Sequence, residues 1–354
     1  MTYQLPEKLR NLEPYQPNTG VFHVRLDANE SFISLPDDIR KEIGEKVSQI
    51  DFNRYPDPCA TELCEKFSRY FNVPSDLVVA ANGSDELLFL LTSCFSDAGD
   101  KLMMVKPDFS MYGIYAELAG MQVEVFEKED NLQIGVDALI AEAKEKQIRM
   151  LIFSNPCNPS SLIESREDVV KIVEALEDTL VIVDEAYMEF ADGASVLDLV
   201  EQYPNMMVLK TLSKAFGLAA VRLGFAVSNK TLANALKAAK SPYNVNTMSQ
   251  VVGSVIFDHP DYIADCIQKI RTSRDSLYAS LAELKARQPK IKSLLDAKSN
   301  FVYMEVEDAA DVFTALKQQG IAIRLMKNYL RICAGSDAEN KAVLEALEAA
   351  LKGA

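Results

Sequence analysis

Between about residues 60 and 230, short apolar runs alternate with stretches of helical periodicity, and this alternation constrains the fold more than any other feature. The runs rarely alternate between polar and apolar side chains, which is typical of strands buried on both faces. Strands separated by helices favour a parallel arrangement. The region therefore predicts an α/β fold, a mostly parallel sheet with helices on both faces. The predicted strands are residues 77–81, 101–105, 122–126, 148–154, 179–187, 205–213 and 222–228.

The pattern changes after about residue 250. A long helical stretch, 249–287, precedes the short strand-like segments 300–306 and 329–333, and helical patterns cover 309–319 and 337–352. This part predicts a smaller α+β domain. The first 30 residues are polar, contain proline and lack periodicity, so they predict an arm without core elements. We expect an arm at 1–30, a large domain at 31–250 and a small C-terminal domain at 251–354.

Composition excludes several functional classes. A net charge of −15 argues against a nucleic-acid partner, because phosphate backbones require clustered Lys and Arg. No apolar run approaches the roughly 20 residues that span a bilayer, and the first residues lack a signal-peptide pattern. The six cysteines are scattered, which predicts free thiols in a cytoplasmic protein. The two histidines lie far apart, so we expect no metal site.

Candidate catalytic residues follow the predicted strands. Asp184 ends the apolar run of "TLVIVDEAY", Asn158 is held between two prolines in "SNPCNPSS", and Lys214 follows "NMMVLKTLS". In open α/β sheets, ligands bind outside the carboxyl ends of the strands. A lysine among Leu, Ala, Phe and Gly is partly desolvated, which lowers its pKa and makes the neutral amine available. These positions predict a site at one sheet edge.

A second candidate is the Gly-containing turn "ANGSDE" at 81–86, where a strand ends and a helix begins. A helix N-terminus presents free N–H groups and a positive dipole end, which suit a phosphate. Each feature alone also has an ordinary interpretation. Ser84 can simply cap the helix, Asp184 and Glu185 can form a solvated strand end, Tyr187 can pack in the core, Lys214 can face water and Arg222 can form a structural salt bridge.

In combination the motifs are more specific. "ANGSDE", "SNPCNP", "VDEAY" and "TLSKAFGLAAVRLGF", in this order, resemble the fold-type-I aminotransferases that use pyridoxal 5′-phosphate, the family with the aspartate-aminotransferase-like fold. The resemblance is greatest to the histidinol-phosphate aminotransferase group. It covers nearly the whole chain, from "LEPYQP" and "RLDANES" through "RYPDP" to "LRICAG".

The resemblance implies the cofactor and its contacts. Lys214 would bind the pyridoxal 5′-phosphate aldehyde covalently and then move the substrate proton. Asp184 would pair with the ring nitrogen, Tyr187 and Asn158 would bind the ring oxygen, and Phe109 would stack on the ring. The phosphate contacts implied are Gly83, Ser84, Asp85, Thr211, Ser213 and Arg222, with Tyr55 from the other subunit of a homodimer that shares its active sites.

The resemblance also implies a reaction, transfer of an amino group between histidinol phosphate and 2-oxoglutarate or glutamate in histidine biosynthesis. Arg331 in "YLRICAG" matches the arginine that binds the substrate anion. The same resemblance adds Tyr15, Asn29 and Arg324 as substrate contacts. Arg324 can equally be a surface charge at a strand end.

The sequence departs from the family pattern in places. It has "NPSS" at 158–161 instead of Asn-Pro-Thr-Gly, "NESF" at 29–32 instead of Asn-Glu-Asn-Pro, and extra residues before Gly20. Alternative functions are an aromatic amino-acid aminotransferase and a threonine-phosphate decarboxylase on the same fold. A cofactor-sensing regulator would need a DNA-binding module, for which the arm is too short. A nicotinamide dehydrogenase is disfavoured because no GxGxxG follows a predicted strand.

Overall fold

The computed structural model describes residues 2–10, 12–14, 18–193 and 195–353. Its helices are α1 Glu7–Arg10, α2 Asp37–Ser48, α3 Thr61–Phe71, α4 Ser84–Cys94, α5 Met111–Ala119, α6 Val136–Lys146, α7 Arg166–Ala175, α8 Lys230–Ala239, α9 Thr247–Phe257, α10 Pro260–Arg287, α11 Ala309–Gln318 and α12 Asp337–Gly353. Its strands are β1 Val24–Arg25, β2 Val78–Ala81, β3 Lys101–Lys106, β4 Gln122–Glu127, β5 Met150–Ser154, β6 Leu180–Asp184, β7 Met206–Thr211, β8 Gly224–Ser228, β9 Ile291–Leu294, β10 Phe301–Val306, β11 Ile321–Ala322, β12 Arg324–Met326 and β13 Tyr329–Cys333.

The central element is a seven-stranded sheet in the order β2-β8-β7-β6-β5-β3-β4. Strands β7, β6, β5, β3 and β4 run parallel to one another, whereas β8 pairs antiparallel with both β7 and β2. The predicted α/β fold with a mostly parallel sheet is confirmed, and each predicted strand is present. The strand predicted at 205–213 ends earlier, at Thr211, so Ser213 and Lys214 lie in the following turn.

The sheet is covered on both faces, as its apolar strands predict. Neighbouring residues of β6 point to opposite faces, so that Val181 and Val183 pack in one core and Ile182 packs in the other. All three are fully buried. The strands therefore need apolar side chains at every position, and the first polar residue, Asp184, comes where the strand leaves the core.

A second sheet, in the order β12-β13-β10-β9, is antiparallel and packs with α10 and α11, and α12 packs in turn on these two helices. It corresponds to the predicted α+β part. The predicted boundary at 250/251 falls inside α9, which packs on α2 and α3. The division into 31–250 and 251–354 stays a prediction.

The prediction that the first 30 residues form an arm without core elements was wrong at residues 24–26. β1 pairs in parallel with β11, and Leu26 N donates a further hydrogen bond to Ala322 O at 2.8 Å. Two buried apolar residues, Val24 and Leu26, anchor this segment. A strand of two residues is too short to show a period in the sequence. Among the described helices, none combines the length and apolarity required to cross a membrane.

Candidate active site

Three predicted site residues meet at the carboxyl edge of the central sheet. Asp184 is the last residue of β6, Asn158 lies in the turn after β5, and Lys214 lies in the turn after β7. These three strands are adjacent and parallel. Their carboxyl ends therefore open at one place, the edge at which ligands bind in open α/β sheets.

Lys214 is half-buried, and its Nζ donates to the carbonyl oxygen of Ala28 at 3.1 Å. Burial lowers the pKa of this amine; among the nearby charges, Cys333 and Glu30 oppose the shift while Arg331 and Arg222 support it, and burial is the largest cause. The direction is the one expected from its apolar neighbours in the sequence. The geometry favours an amine that is easily deprotonated.

Asp184 is a buried carboxylate whose hydrogen bonds come from neutral donors. Tyr112 OH donates to Oδ2 at 2.9 Å, and Ala186 N donates to Oδ1 at 3.1 Å. Burial raises the pKa of Asp184 to about 6 although both bonds oppose the shift. A cationic N–H group placed against this carboxyl would stabilise its charged form.

Glu185, the next residue, contacts a buried lysine. It is fully buried and lies 2.9 Å from Lys210 Nζ, which also contacts Glu189 at 2.8 Å. We call Lys210, Glu185 and Glu189 the Lys210 cluster. Ser195 Oγ and Val196 N donate to Glu185. The interpretation of 184–185 as a solvated strand end was therefore wrong.

An anion cradle lies at the start of α4. Gly83, at φ 84°, is the N-cap residue in place of Ser84, and no side chain caps the helix. A Cβ on Gly83 would lie 2.7 Å from Arg222 Nη2, so glycine allows the guanidinium to approach the helix end. Arg222 Nη1 donates to Ser213 Oγ at 3.3 Å. Backbone N–H groups, a hydroxyl and a guanidinium thus converge.

Two other predicted residues complete or modify this cradle. Thr211 Oγ1 accepts a hydrogen bond from Ser213 N at 3.1 Å, which fixes the turn before Lys214. The carboxylate of Asp85 accepts from Arg222 Nη2 at 3.1 Å. The sequence had suggested only a backbone contact for Asp85, and its side chain partly neutralises the arginine.

Tyr187 lies beside the N-terminal segment. Asn29 Nδ2 donates to Tyr187 OH at 2.9 Å, and Cys333 Sγ donates to Asn29 Oδ1 at 3.1 Å. Burial raises the pKa of Tyr187 to about 12, while Arg331 acts in the opposite direction. The phenol is therefore protonated near neutral pH and can donate a hydrogen bond.

Arg331 is buried on β13 and reaches towards Asn158. Its Nη1 donates to Asn158 Oδ1 at 2.5 Å, its Nη2 donates to Asp27 O at 2.8 Å, and its guanidinium lies 5.3 Å from the centre of the Phe301 ring. Among the described residues, none accepts a hydrogen bond from its Nε. An arginine held in this way can exchange its amide partner for an anion.

Arg324 lies directly opposite Arg331 in the antiparallel pair of β12 and β13. Side chains at paired positions share one face, and like charges there repel. Arg324 is half-buried rather than a fully exposed strand-end charge. The two arginines therefore form a positively charged position beside the site.

Three predicted site residues remain to be placed, Phe109, Tyr55 and Tyr15. Phe109 packs edge-on against Tyr112 with ring centres 5.5 Å apart. Tyr55 is 79% exposed and stacks on Tyr243 with ring centres 4.6 Å apart. Tyr15 lies outside the described residues.

Sequence reasoning missed several supporting residues. Tyr112 lies in "KPDFSMY", three residues after Phe109, and a tyrosine so close to a predicted ring contact is the signal that could have indicated it. Asp108 accepts hydrogen bonds from Ser154 N at 3.0 Å and from Ser154 Oγ, while Ser154 Oγ accepts from Asn158 N at 2.9 Å. These contacts join separate strands, and no local pattern predicts them.

Comparisons with known proteins agree with this geometry. A sequence model of the family "Aminotransferase class I and II" matches residues 23–347. The chain is 39% identical over 347 residues to the histidinol-phosphate aminotransferase of Clostridium novyi (strain NT), covering 96% of this chain and 95% of the relative. It is 36% identical over 351 residues to the enzyme of the same name from Clostridium kluyveri, covering 98% of both.

A solved structure shares the fold. The histidinol-phosphate aminotransferase of Sinorhizobium meliloti, in complex with pyridoxal-5′-phosphate, superposes with a TM-score of 0.85 at 23% identity and covers 94% of this chain and 92% of that one. The sheet order, the family match and the full-length relatives agree. This chain belongs to the class I and II aminotransferases.

Proposed function

We propose that this protein uses pyridoxal 5′-phosphate to transfer an amino group between histidinol phosphate and 2-oxoglutarate or glutamate, a step of histidine biosynthesis. The main observation in support is that Lys214, an amine with a lowered pKa, and the buried carboxyl of Asp184 lie at the same edge of the sheet. The names of the full-length relatives support the substrate.

The residues present fit this cofactor at both of its ends. The cradle formed by Gly83, Ser213 and Arg222 suits a phosphate monoester, since a Cβ at Gly83 would close it. At the other end, the Asp184 carboxyl is bonded only by neutral donors within the described part of the chain, and it suits a protonated ring nitrogen. When bound, pyridoxal 5′-phosphate supplies an aldehyde and an electron-withdrawing ring that accept and release the amino group.

The side chains then divide the work. Lys214 holds the cofactor and, when free, takes a proton from the substrate carbon and returns it, which its lowered pKa favours. Asp184 would hold a proton on the ring nitrogen, and the Tyr187 hydroxyl and the Asn158 amide would bind the ring oxygen. Phe109 covers the ring. The proposed phosphate contacts are Gly83, Ser84, Asp85, Thr211, Ser213 and Arg222.

The anion of the substrate is assigned to Arg331. Its fork can bind a carboxylate or a phosphate through two hydrogen bonds, and its Nε is without an acceptor among the described residues. Arg324, opposite it on the neighbouring strand, adds positive charge for the phosphate substrate. Asn29 and Tyr15 complete the proposed substrate contacts.

We also propose a homodimer with shared sites, in the cytoplasm and without a nucleic-acid partner. Tyr55 is largely exposed and stacks on Tyr243, which is 43% exposed, and this leaves an aromatic surface available to a second copy. Tyr55 would contact the cofactor phosphate of the partner. All six cysteines are unpaired, which suits a reducing compartment.

A screen of separate half-reactions tests the substrate. The cofactor-loaded protein is mixed with glutamate, histidinol phosphate, phenylalanine or threonine phosphate, and the visible absorption of the bound cofactor is followed. We expect rapid bleaching with glutamate and histidinol phosphate. A preference for phenylalanine would favour the aromatic aminotransferase, and carbon dioxide release from threonine phosphate would favour the decarboxylase.

Variants of the two arginines test the anion site. Arg331→Lys keeps the charge but loses the bidentate hydrogen bonding of the guanidinium. We expect kcat/KM to fall for both substrates, by tenfold for each ~1.4 kcal/mol of transition-state binding energy lost. Arg324→Ala lowers kcat/KM more for histidinol phosphate than for glutamate. Equal losses at Arg324 for both substrates would contradict a dedicated phosphate contact.

A further inference from the structure

The turn that carries Asn158 ends in an unusual serine. Ser161 has a φ of 65° and a fully buried side chain. A non-glycine residue in this left-handed conformation is strained, whereas glycine adopts it freely. This is also the position at which the sequence departs from the glycine of the family pattern. A compensating interaction of the side chain is therefore expected.

The hydroxyl group of Ser161 provides that interaction across a long distance in the sequence. Its Oγ accepts hydrogen bonds from Ser299 N at 2.7 Å and from Lys298 N at 2.9 Å. Ser299 is fully buried, so without the hydroxyl its N–H would lose its acceptor. A glycine at position 161 would relieve the strain but would leave this donor unpaired.

Residues 298–299, which Ser161 contacts, are followed by residues that lie beside Arg331, the proposed substrate contact. Asn300 Nδ2 donates to the carbonyl oxygen of Asn29 at 3.1 Å. The next residue, Phe301, begins β10; its ring lies under the Arg331 guanidinium and meets the Tyr187 ring edge-on at 5.3 Å. Fixing residues 298–299 therefore fixes the base on which Arg331 rests.

The other end of the connection holds Asn158. Cys157 N donates to Leu162 O and Ser161 N donates to Cys157 O, both at 2.8 Å, which closes the turn around Asn158. The Asn158–Arg331 hydrogen bond thus joins two parts of the chain whose separation is set, a few residues away, by the Ser161 hydroxyl.

We propose that Ser161 is a positioning residue for the anion site, which sets the distance between Asn158 and Arg331 through its bonds to residues 298–299. The inference rests on the proposed function. Because Arg331 binds the substrate anion before and during the reaction, loosening its base weakens binding in both states. Loss of the hydroxyl should therefore raise KM and change kcat little.

The test compares Ser161→Ala and Ser161→Gly in the cofactor-loaded protein. Both remove the hydroxyl, but only Gly relieves the backbone strain. Ser165→Ala is the matched control, since Ser165 Oγ accepts a hydrogen bond from Asp168 N at 3.0 Å far from residues 298–299. The readouts are the glutamate half-reaction, the Kd of glutarate, which lacks an amino group, and hydrogen exchange in the peptide 296–301.

We expect both Ser161 variants to raise KM and the glutarate Kd by about threefold to tenfold, the range of one net hydrogen bond, and to speed exchange in 296–301. Ser161→Ala should melt at a lower temperature than Ser161→Gly. Ser165→Ala should lose stability only. Unchanged KM and exchange in both variants would overturn the inference, as would a KM effect in Ala alone. A wild-type protein inert towards glutamate would instead overturn the proposed function.

Discussion

Two lysines four positions apart show how the surroundings of an amine decide its chemistry. Lys210 lies within β7, is 3% exposed and contacts the carboxylates of Glu185 and Glu189. Lys214 lies in the turn after the strand, and its amine donates to a backbone carbonyl. Burial lowers the pKa of both amines, but the two carboxylates outweigh it at Lys210 and raise its pKa, whereas at Lys214 the nearby charges act in both directions and burial prevails.

The difference separates a structural charge from a reactive one. Lys210 is permanently charged and ties β7 to the segment after β6. Lys214 loses its proton more readily than an ordinary lysine, because its pKa is lowered. Burial alone is therefore a poor guide to reactivity, because close carboxylates can reverse its effect on the pKa of an amine.

The largest expected effect is on turnover. Replacing the reactive amine, Lys214→Ala, should lower kcat by ~10³-fold or more, since proton transfer by a positioned side chain alone contributes about 10²–10⁴-fold. Steady-state assays measure it, and absorbance after gel filtration should show cofactor still bound. Lys230→Ala, at an exposed lysine, is the control. Turnover above about a tenth of wild type would remove Lys214 from the chemistry.

The structural lysine should matter for stability instead. Lys210→Met leaves Glu185 and Glu189 buried without their cation, and the free energy of unfolding should fall by about 3–5 kcal/mol. Urea denaturation measures the change. Adding Glu185→Gln and Glu189→Gln to the same variant should restore part of it. A loss under about 1 kcal/mol would mean that the Lys210 cluster is screened by solvent.

Asp184 extends the comparison to a buried carboxyl that pairs with no cation among the described residues. Its pKa of about 6 lies above the usual 3.8, so the folded cofactor-free protein binds more protons than the unfolded chain between these pH values. Stability should fall as pH rises from about 4 to about 6, by at most ~3 kcal/mol. Asp184→Asn should remove this dependence and melt at a higher temperature at pH 7.

Thermal melts of the cofactor-free protein at pH 4, 5, 6 and 7 check this. The variant and the wild type should converge at the lowest pH. Identical melting temperatures of both proteins at pH 7 would show that the charge of Asp184 is already compensated in the absence of the cofactor.

The smallest expected effect is a difference in labelling. In the cofactor-free protein, Lys214 should be methylated reductively at a lower pH than the exposed Lys230, because its pKa is lowered. The neutral fraction rises tenfold for each unit by which a pKa is lower. Lys210 should stay unlabelled while the protein is folded. Peptide mass spectrometry over a pH series measures the methylation of each of these three lysines. Equal methylation of Lys214 and Lys230 at every pH would contradict a lowered pKa for Lys214.

The sequence predicted the sheet and much of its carboxyl edge, because apolar runs and the polar residues that end them are local signals. Lys214, Asp184 and Asn158 could be placed in this way. The Lys210 cluster could not, since Lys210 lies inside an apparent strand and its partners, Glu185 and Glu189, lie in the segment after β6. Asn29 and Ser161 were noticed, but their hydrogen bonds to Tyr187 and to residues 298–299 depend on packing between distant segments.

The pairing of β1 with β11 has a consequence for how the protein is made. Segment 27–29 supplies the acceptors for Arg331 and Lys214 and the amide beside Tyr187, yet Arg331 is 304 residues away from Asp27 in the chain. Synthesis proceeds from the N-terminus, and early domains fold first. The central sheet can therefore form during synthesis, well before Arg331 has been synthesised and the site can be completed. The protein becomes catalytically competent only when β11 and Arg331, from the C-terminal part of the chain, pack against β1 and Asp27.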